Sequence, residues 1–462
     1  MAGRLGFHLR WRLSVLWALE WGISGTLLTY LPIYWKQTIQ LSTSQTASLF
    51  AVAAVGLWVA PFLVGQVADR WLASEKYLAV SHFIGGLTLV GFPHAAETYK
   101  QTGDNFVTLL VMSGIYSVAY IPTWALASSL TFRHLTDPDA QFGKVRVWGT
   151  VGWMSTGLFL SLWLMQDQFG SWLSQFPEIA APRSTIAAAC EWLPAPQPSD
   201  CFSIAAMLSF ALSSFCIFLP HTPPERTQRD GIAPLEMLKM FRSRDFRLFM
   251  GISFLMALLI PMYNLVVPVF LTTGDIEDGW VPAVMLIGQI SEFPALLLLG
   301  LFLKRLGMKI TFSVGIGAWV LRYGLFSISG GAYSLILVGL ALHGICHVFM
   351  IIVAQLYIDS QCRHDLRASA QNFLAFVTLG IGMPLGLLLA GKLDDGFDGN
   401  YPLLFAIAAA SCLVLLVVFW KRFDGPKTIA ITPPPSSDAA PQNPDIAAQV
   451  TDNEAENTDL AP

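Results

Sequence analysis

The sequence predicts an all-α membrane protein of about twelve spanning helices in two halves of about six. Three observations carry that prediction. Hydrophobic residues make up 54% of the 462 and charged residues only 13%, against about 25% charged in a soluble domain. The apolar residues gather into runs long enough to cross a bilayer, which takes about 20 residues as a helix. The longest strongly charged stretch before the tail, Pro220 to Arg247 (PHTPPERTQRDGIAPLEMLKMFRSRDFR), falls near the middle, with comparable runs on both sides.

Taken in order, Arg4, Arg10 and Arg12 precede the first run, Leu13 to Tyr34. The charged start resembles a secretory signal, but the run is too long and lacks a clear small-residue exit, so an uncleaved span is expected. Further spans are expected at 46–67, 77–95, 106–128, 145–166 and 202–220, then at 248–271, 281–303, 310–329, 332–358, 371–391 and 402–421. Between the halves, Pro223, Pro224 and Gly231 interrupt any continuous helix. Pro234 to Phe241 then reads as one short amphipathic helix, with Leu235, Leu238 and the terminal Phe241 on one side. The chain divides into a six-helix half (1–220), a connecting loop (221–247), a second six-helix half (248–422) and a tail (423–462). The tail is rich in Pro, Ala, Asp and Asn and has too little apolar surface to offset ordering entropy, so disorder is expected.

Lys and Arg set the orientation. The chain holds 27 of them, and roughly twenty fall on the side shared by the N-terminus, the connecting loop and the tail. The opposite loops hold Lys36, Lys100, Arg183 and Lys392, and an acidic group of Asp275, Glu277 and Asp278. Both termini are therefore expected in the cytoplasm, with the chain in a bacterial inner membrane. The outer loop 167–201 contains Cys190 and Cys201, which could form a disulfide on an oxidising side; two free thiols are the alternative. No Cys-x-x-Cys or zinc-type spacing occurs, so neither metal nor cofactor is expected. With a formal net charge of -4 and no basic patch, nucleic acid is not an expected partner. A monomer in the lipid bilayer, with a small solute as its substrate, is.

After the second span comes Gly65-Gln66-Val67-Ala68-Asp69-Arg70. The glycine lets helix ends approach, and the acid and base can clasp at the membrane rim. The matching place in the second half reads Gly300-Leu301-Phe302-Leu303-Lys304-Arg305, and a proline precedes each, Pro61 and Pro294. An ordinary charged turn is the alternative. With the two-half layout, this G-x-x-x-D-R pattern resembles the signature loop of the major facilitator superfamily. The resemblance implies that fold, with inverted repeats and two halves that rock about a central site.

Polar side chains at membrane depth are costly and default to functional candidates. Arg146, Thr150 and Trp153, at i, i+4 and i+7, place a cation, a hydroxyl and a broad π-surface on one stripe of the fifth span. That stripe suits a ligand with a flat ring and several hydroxyls or carbonyls; Arg146 could instead snorkel to the nearer interface. Gln289 and Glu292 share a face of the eighth span, where a lipid-facing carboxylate is unfavourable; a structural pair is the alternative. His343 and His347 share a face of the tenth span. Substrate hydrogen bonding, a proton relay and satisfied core histidines compete there, and the pair alone underfills a metal site. Glu20 is another buried acid. Arg322 could pair with an acid or lie at an interface, and has no assigned role.

RVWGTVGW (Arg146 to Trp153) and QISE (Gln289 to Glu292) resemble the nucleoside:proton symporter family within that superfamily. So do Glu20-Trp21-Gly22, VADRWL (Val67 to Leu72) and LRASAQ (Leu366 to Gln371). The likeness covers all the spans and not the tail. It implies a substrate site of Arg146, Thr150 and the aromatic at 153 (Trp here, commonly Phe), joined by Asn264, Gln289 and Glu292. The chain departs from the family pattern at Pro261, where a Gln is usual. It departs again at His343, His347 and Val348, where a Tyr and a Phe-Asp pair are usual. Those departures leave the ribose and base contacts, and so the exact substrate, open.

The expected function is secondary active transport, not enzymatic catalysis: proton-coupled import of a nucleoside or related polyhydroxylated solute by alternating access. Arg146, Thr150, Trp153, Asn264, Gln289, Glu292, His343 and His347 are the candidate substrate contacts. Glu292, with His347 or Glu20, is the candidate proton carrier, and Gly65, Asp69, Arg70, Gly300 and Arg305 form the candidate conformational loops. A non-transporting sensor on the same fold, or a facilitator of another polar solute such as a sugar, are the rival expectations.

Overall fold

The structure, a computed structural model, describes residues 7–63, 71–166, 168, 194–223, 240–274, 276–362 and 367–425. Within them the regular secondary structure is helical throughout. A bilayer offers backbone groups no partners, so a spanning segment must satisfy its own N–H and C=O groups, as a helix does.

The first half comprises α1 (Phe7–Leu27), α2 (Thr43–Ala51 continuing as Ala53–Leu63), α3 (Ser74–Thr102), α4 (Phe106–His134), α5 (Pro138–Leu164) and α6 (Asp200–Phe215). The second begins with α7 (Arg244–Thr272). One helical run, Val281–Ile328, is broken at Gly307 (φ 73°, ψ 175°) into α8 (281–306) and α9 (308–328). Then come α10 (Tyr333–Gln361), α11 (Ala370–Gly396) and α12 (Tyr401–Arg422). Among the described residues nine helices are long and apolar enough to cross a membrane, with the run broken at Gly307 counted once. α1 and α5 are of similar length, 21 and 27 residues, but carry charged side chains, Glu20 and Arg146 among them. The tally is consistent with the twelve expected spans. Apolar side chains cover the outside (Leu297 is 84% exposed), while Glu20 and Arg322 are 0% exposed.

Each half repeats the same crossings. Gly152 of α5 has no room for a Cβ, because the Ala18 carbonyl of α1 lies where it would go. Gly386 of α11 meets the Leu258 carbonyl of α7 in the same way. Backbone-to-backbone approach of this kind is how membrane helices associate without a hydrophobic driving force. Between α2 and α4 the Gly56 N–H donates to the Ser117 hydroxyl at 2.9 Å. Between α10 and α8 the Gly344 N–H donates to the Ser291 hydroxyl at 2.8 Å. The pairs α1–α5 and α2–α4 thus correspond to α7–α11 and α8–α10, the physical trace of a six-helix repeat.

One end of the bundle is stitched across the halves. Lys36, in the connection after α1, donates to Asp394 Oδ2 of α11 at 2.6 Å, and the Thr43 hydroxyl donates to the same oxygen at 2.5 Å. The Thr43 and Ser44 N–H groups, unsatisfied donors in the first turn of α2, reach the Asp395 carboxylate at 2.8 and 2.9 Å. An acid of the second half therefore helps cap a helix of the first. Burial alone would lower the Lys36 ammonium's pKa, but the Asp394 hydrogen bond and the charges of Tyr401, Asp394 and Asp395 outweigh it and hold it above its ordinary value. At the same end the Trp280 indole donates to Gln168 at 3.1 Å, and Gln168 also pairs with Glu277. Further in, the Ala283 N–H donates to the Ser161 hydroxyl at 2.9 Å. The Trp58 indole donates to the Gly380 carbonyl at 2.9 Å.

Candidate substrate and proton site

The first-half wall of the site is built on α1 and α5, which the Gly152 crossing holds in backbone contact. The Arg146 guanidinium lies over the Trp17 ring at 4.7 Å and the Trp21 ring at 4.5 Å from their centroids. Trp17 and Trp21 are one turn apart on α1, so their faces form a shelf for the cation. Each such contact contributes about 0.5–2 kcal/mol, more where water is excluded. Trp21 also stacks on Trp124 of α4 (5.3 Å, 17°) and tilts toward Trp153 (6.2 Å, 47°). Thr150 and Trp153 are partly buried on the same helix. The indole N–H groups of Trp21 and Trp153 are buried with no hydrogen-bond partner among the described residues.

The second-half wall comes from α7, α8, α9 and α10. His343 Nε2 lies 3.2 Å from Glu292 Oε1, and His343 Nδ1 lies 3.1 Å from Arg322 Nη1. The two histidine rings stack at 5.6 Å and 26°, as their i, i+4 spacing leads one to expect. α10 changes register around them: a fresh helical segment starts at His343, and a π turn runs from Val348 to Ile352. Insertions of that kind recur at functional positions. Donor atoms of Glu292, His343 and His347 lie within 4.8 Å of one another. Glu292 thus adds a third donor that the spacing of the two histidines does not reveal, although both His343 nitrogens are already engaged. The Gln289 amide oxygen is buried without a partner among the described residues. In the stretch 261–270 of α7, Asn264 alone is exposed, so that helix opens to accessible space at this one side chain.

The structure brings Glu292, His343 and His347 together, and sets Arg146 and Trp153 in one aromatic cluster. Glu20 has buried partners of its own. Its carboxylate meets His82 Nε2 of α3 at 2.9 Å and accepts from Thr123 of α4 at 2.5 Å, with Glu20 and His82 both fully buried. Sequence reasoning misses Trp17 and His82, and leaves Arg322 unassigned. A lone His or Trp in an apolar span carries no signal until its partner is known.

Gly65, Asp69, Arg70 and Cys190 lie outside the described residues, as does most of the short helix expected from Pro234 to Phe241 and of the tail. Gly300 and Arg305 are exposed on α8 shortly before Gly307. Cys201 is buried, with its thiol 3.4 Å from the Pro198 carbonyl.

Residues 7–195 and 179–428 match the protein family described as Nucleoside H+ symporter. The putative nucleoside transporter YegT of Escherichia coli is 29% identical over 437 residues, 89% of this chain and 94% of that protein. The nucleoside permease NupG of Escherichia coli is 26% identical over 440 residues, 90% and 96% of the two chains. The crystal structure of NupG superposes with a TM-score of 0.74 at 24% identity, covering 90% of this chain and all of that one. A peptide transporter structure reaches 0.63 at 12% identity, covering 90% of this chain and 93% of that one. The architecture is thus shared by carriers of unlike solutes, and specificity must reside in the site.

Proposed function

We propose, from the premise that this chain belongs to the nucleoside H+ symporter family and is a multi-pass membrane transporter rather than an enzyme, that it imports nucleosides together with protons. One observation in the site carries the choice of substrate class. The two buried indole N–H groups of Trp21 and Trp153 and the buried Gln289 amide oxygen have no partner among the described residues. Buried polar groups are nearly always paired. Two donors, an acceptor and broad π faces, with Arg146 and Glu292 nearby, are the groups that would hold a flat heterocycle bearing carbonyls and N–H groups. Thr150 and Asn264 supply further polar contacts on the two sides, and His343 and His347 complete the second-half wall.

Glu292 is the proton carrier in this proposal, with His347 beside it. Residues 1–220 and 248–422 are the two moving halves, and 221–247 connects them. The chain sits as a monomer in a bacterial inner membrane with both termini cytoplasmic, which follows the Lys and Arg skew. The stitched Lys36–Asp394 end then faces outward, and the structure corresponds to a conformer closed to the outside. The Gly300–Arg305 segment then lies toward the cytoplasmic rim, the side on which the Lys and Arg skew of the sequence also puts the Gly65–Arg70 motif.

Counterflow in proteoliposomes tests this. Vesicles preloaded with unlabelled uridine or adenosine should accumulate the labelled nucleoside transiently, and free ribose or glucose should not compete. No counterflow for any nucleoside, with flux of a sugar instead, would assign the site to another polar solute.

A further inference from the structure

Arg322 is one of the largest fully buried side chains of the protein, at 0% exposure. Its guanidinium lies 3.4 Å from the centroid of the Tyr263 ring, and it is also within 5.2 Å of Trp319. Nη1 meets His343 Nδ1 at 3.1 Å, while Nε and Nη2 have no hydrogen-bond partner among the described residues. A cation so placed is costly, and the carboxylate of Glu292 is reached through the imidazole of His343. Arginine has donors and no acceptor. Nδ1 of His343 can therefore only accept, which leaves the ring's proton on Nε2, the nitrogen that lies 3.2 Å from Glu292 Oε1.

We infer that Arg322 is a positioning residue that fixes His343 as the neutral Nε2–H tautomer, so that His343 keeps its proton on the nitrogen nearer Glu292 and does not itself take up the transported proton. This rests on the assignment of Glu292 as the proton carrier. The titratable and charged groups in contact with His343 among the described residues fit the arrangement. Tyr263 of α7 stacks on its ring at 5.5 Å, Glu292 of α8 lies 3.2 Å from its Nε2, Arg322 of α9 donates to its Nδ1, and His347 stacks on it from its own helix. A second proton on Nδ1 would point N–H at N–H and place two cations in contact. The pair of histidines therefore divides into one of fixed tautomer, His343, and one free to respond to Glu292, His347.

Nitrogen-15 solid-state NMR on the full-length protein, labelled at its 8 histidines and reconstituted in liposomes, tests this. The His343 signals are identified by their loss in His343→Gln. In the parent, Nδ1 should give the unprotonated resonance and Nε2 the protonated one, unchanged between about pH 5.5 and about pH 8. In Arg322→Met the Nδ1 resonance should move to the protonated position as pH falls, and Arg322→Lys should restore part of the parent pattern. A proton on Nδ1 in the parent, or a doubly protonated ring within that window, overturns the inference. Because the parent spectrum decides, a misfolded Arg322→Met leaves the test intact. It is also independent of transport: a failed counterflow assay would remove the proposed substrate and leave the tautomer standing, and the reverse outcome would spare the transporter.

Discussion

Lys36 and Asp394, 358 positions apart in the chain, are joined at 2.6 Å across the boundary between the two halves. Asp394 is 1% exposed and Lys36 28%, so the acid depends on the lysine and on Thr43 for its charge compensation. Alternating access requires this end to open, and the latch must then break.

Asp394→Asn should destabilise the closed end by about 2 kcal/mol, below the about 3–5 kcal/mol of a fully buried broken pair because Lys36 is partly solvated. The thermal midpoint should fall, and Thr43→Cys in the same background should react faster with an impermeant thiol reagent. The exchanged pair Lys36→Asp with Asp394→Lys should recover part of the loss. A lysine with a raised value contributes fully below its unfolded value of about 10.4 and loses that contribution only as pH climbs through the raised one. Labelling of Thr43→Cys, corrected for the reagent's own pH dependence, should therefore stay constant from about pH 6 to about pH 8.

Arg146 rests on Trp17 and Trp21, so its planar group is seated before any substrate arrives. Arg146→Ala should weaken nucleoside binding about tenfold or more, and Arg146→Lys should restore little, because an ammonium lacks the planar fork and its stacking. Calorimetry on purified protein measures this. Equal affinities for parent and Arg146→Ala would place Arg146 outside the binding surface.

Glu20 and His82 are both fully buried and 2.9 Å apart. His82→Leu should lower stability by about 3 kcal/mol, since it leaves a buried acid with one partner fewer. Glu20→Gln, which keeps the shape and the Thr123 contact, should cost much less. Denaturation midpoints check the ranking, and pH-driven uptake by Glu20→Gln should match the parent. Loss of that uptake at normal abundance would make Glu20 a proton carrier.

The spans are legible in sequence because the bilayer imposes a length. The expected 106–128 and 248–271 fall inside Phe106–His134 and Arg244–Thr272, with the helices running on past the apolar core. α1 and α5 are the polar exceptions, and they are the two that build the Arg146 shelf. Face-sharing pairs such as His343 and His347 are also legible, since helical spacing alone sets them side by side. Partners on different helices are not. Nothing in the span around Arg322 indicates that it donates to His343, and nothing in the first span ties Glu20 to His82, 62 positions away. Such pairs depend on which helices cross and at what rotation, decided by close approaches like Gly152 against Ala18.

In the proposed mechanism the Glu292 carboxylate, 3.2 Å from His343, carries the proton. Glu292→Gln keeps size and polarity and removes the charge change. Uptake of labelled uridine by proteoliposomes with an imposed pH gradient, run beside exchange without one, measures it most directly. Exchange should persist while gradient-driven accumulation is lost. Accumulation along the gradient by Glu292→Gln, at the parent's level, would contradict it.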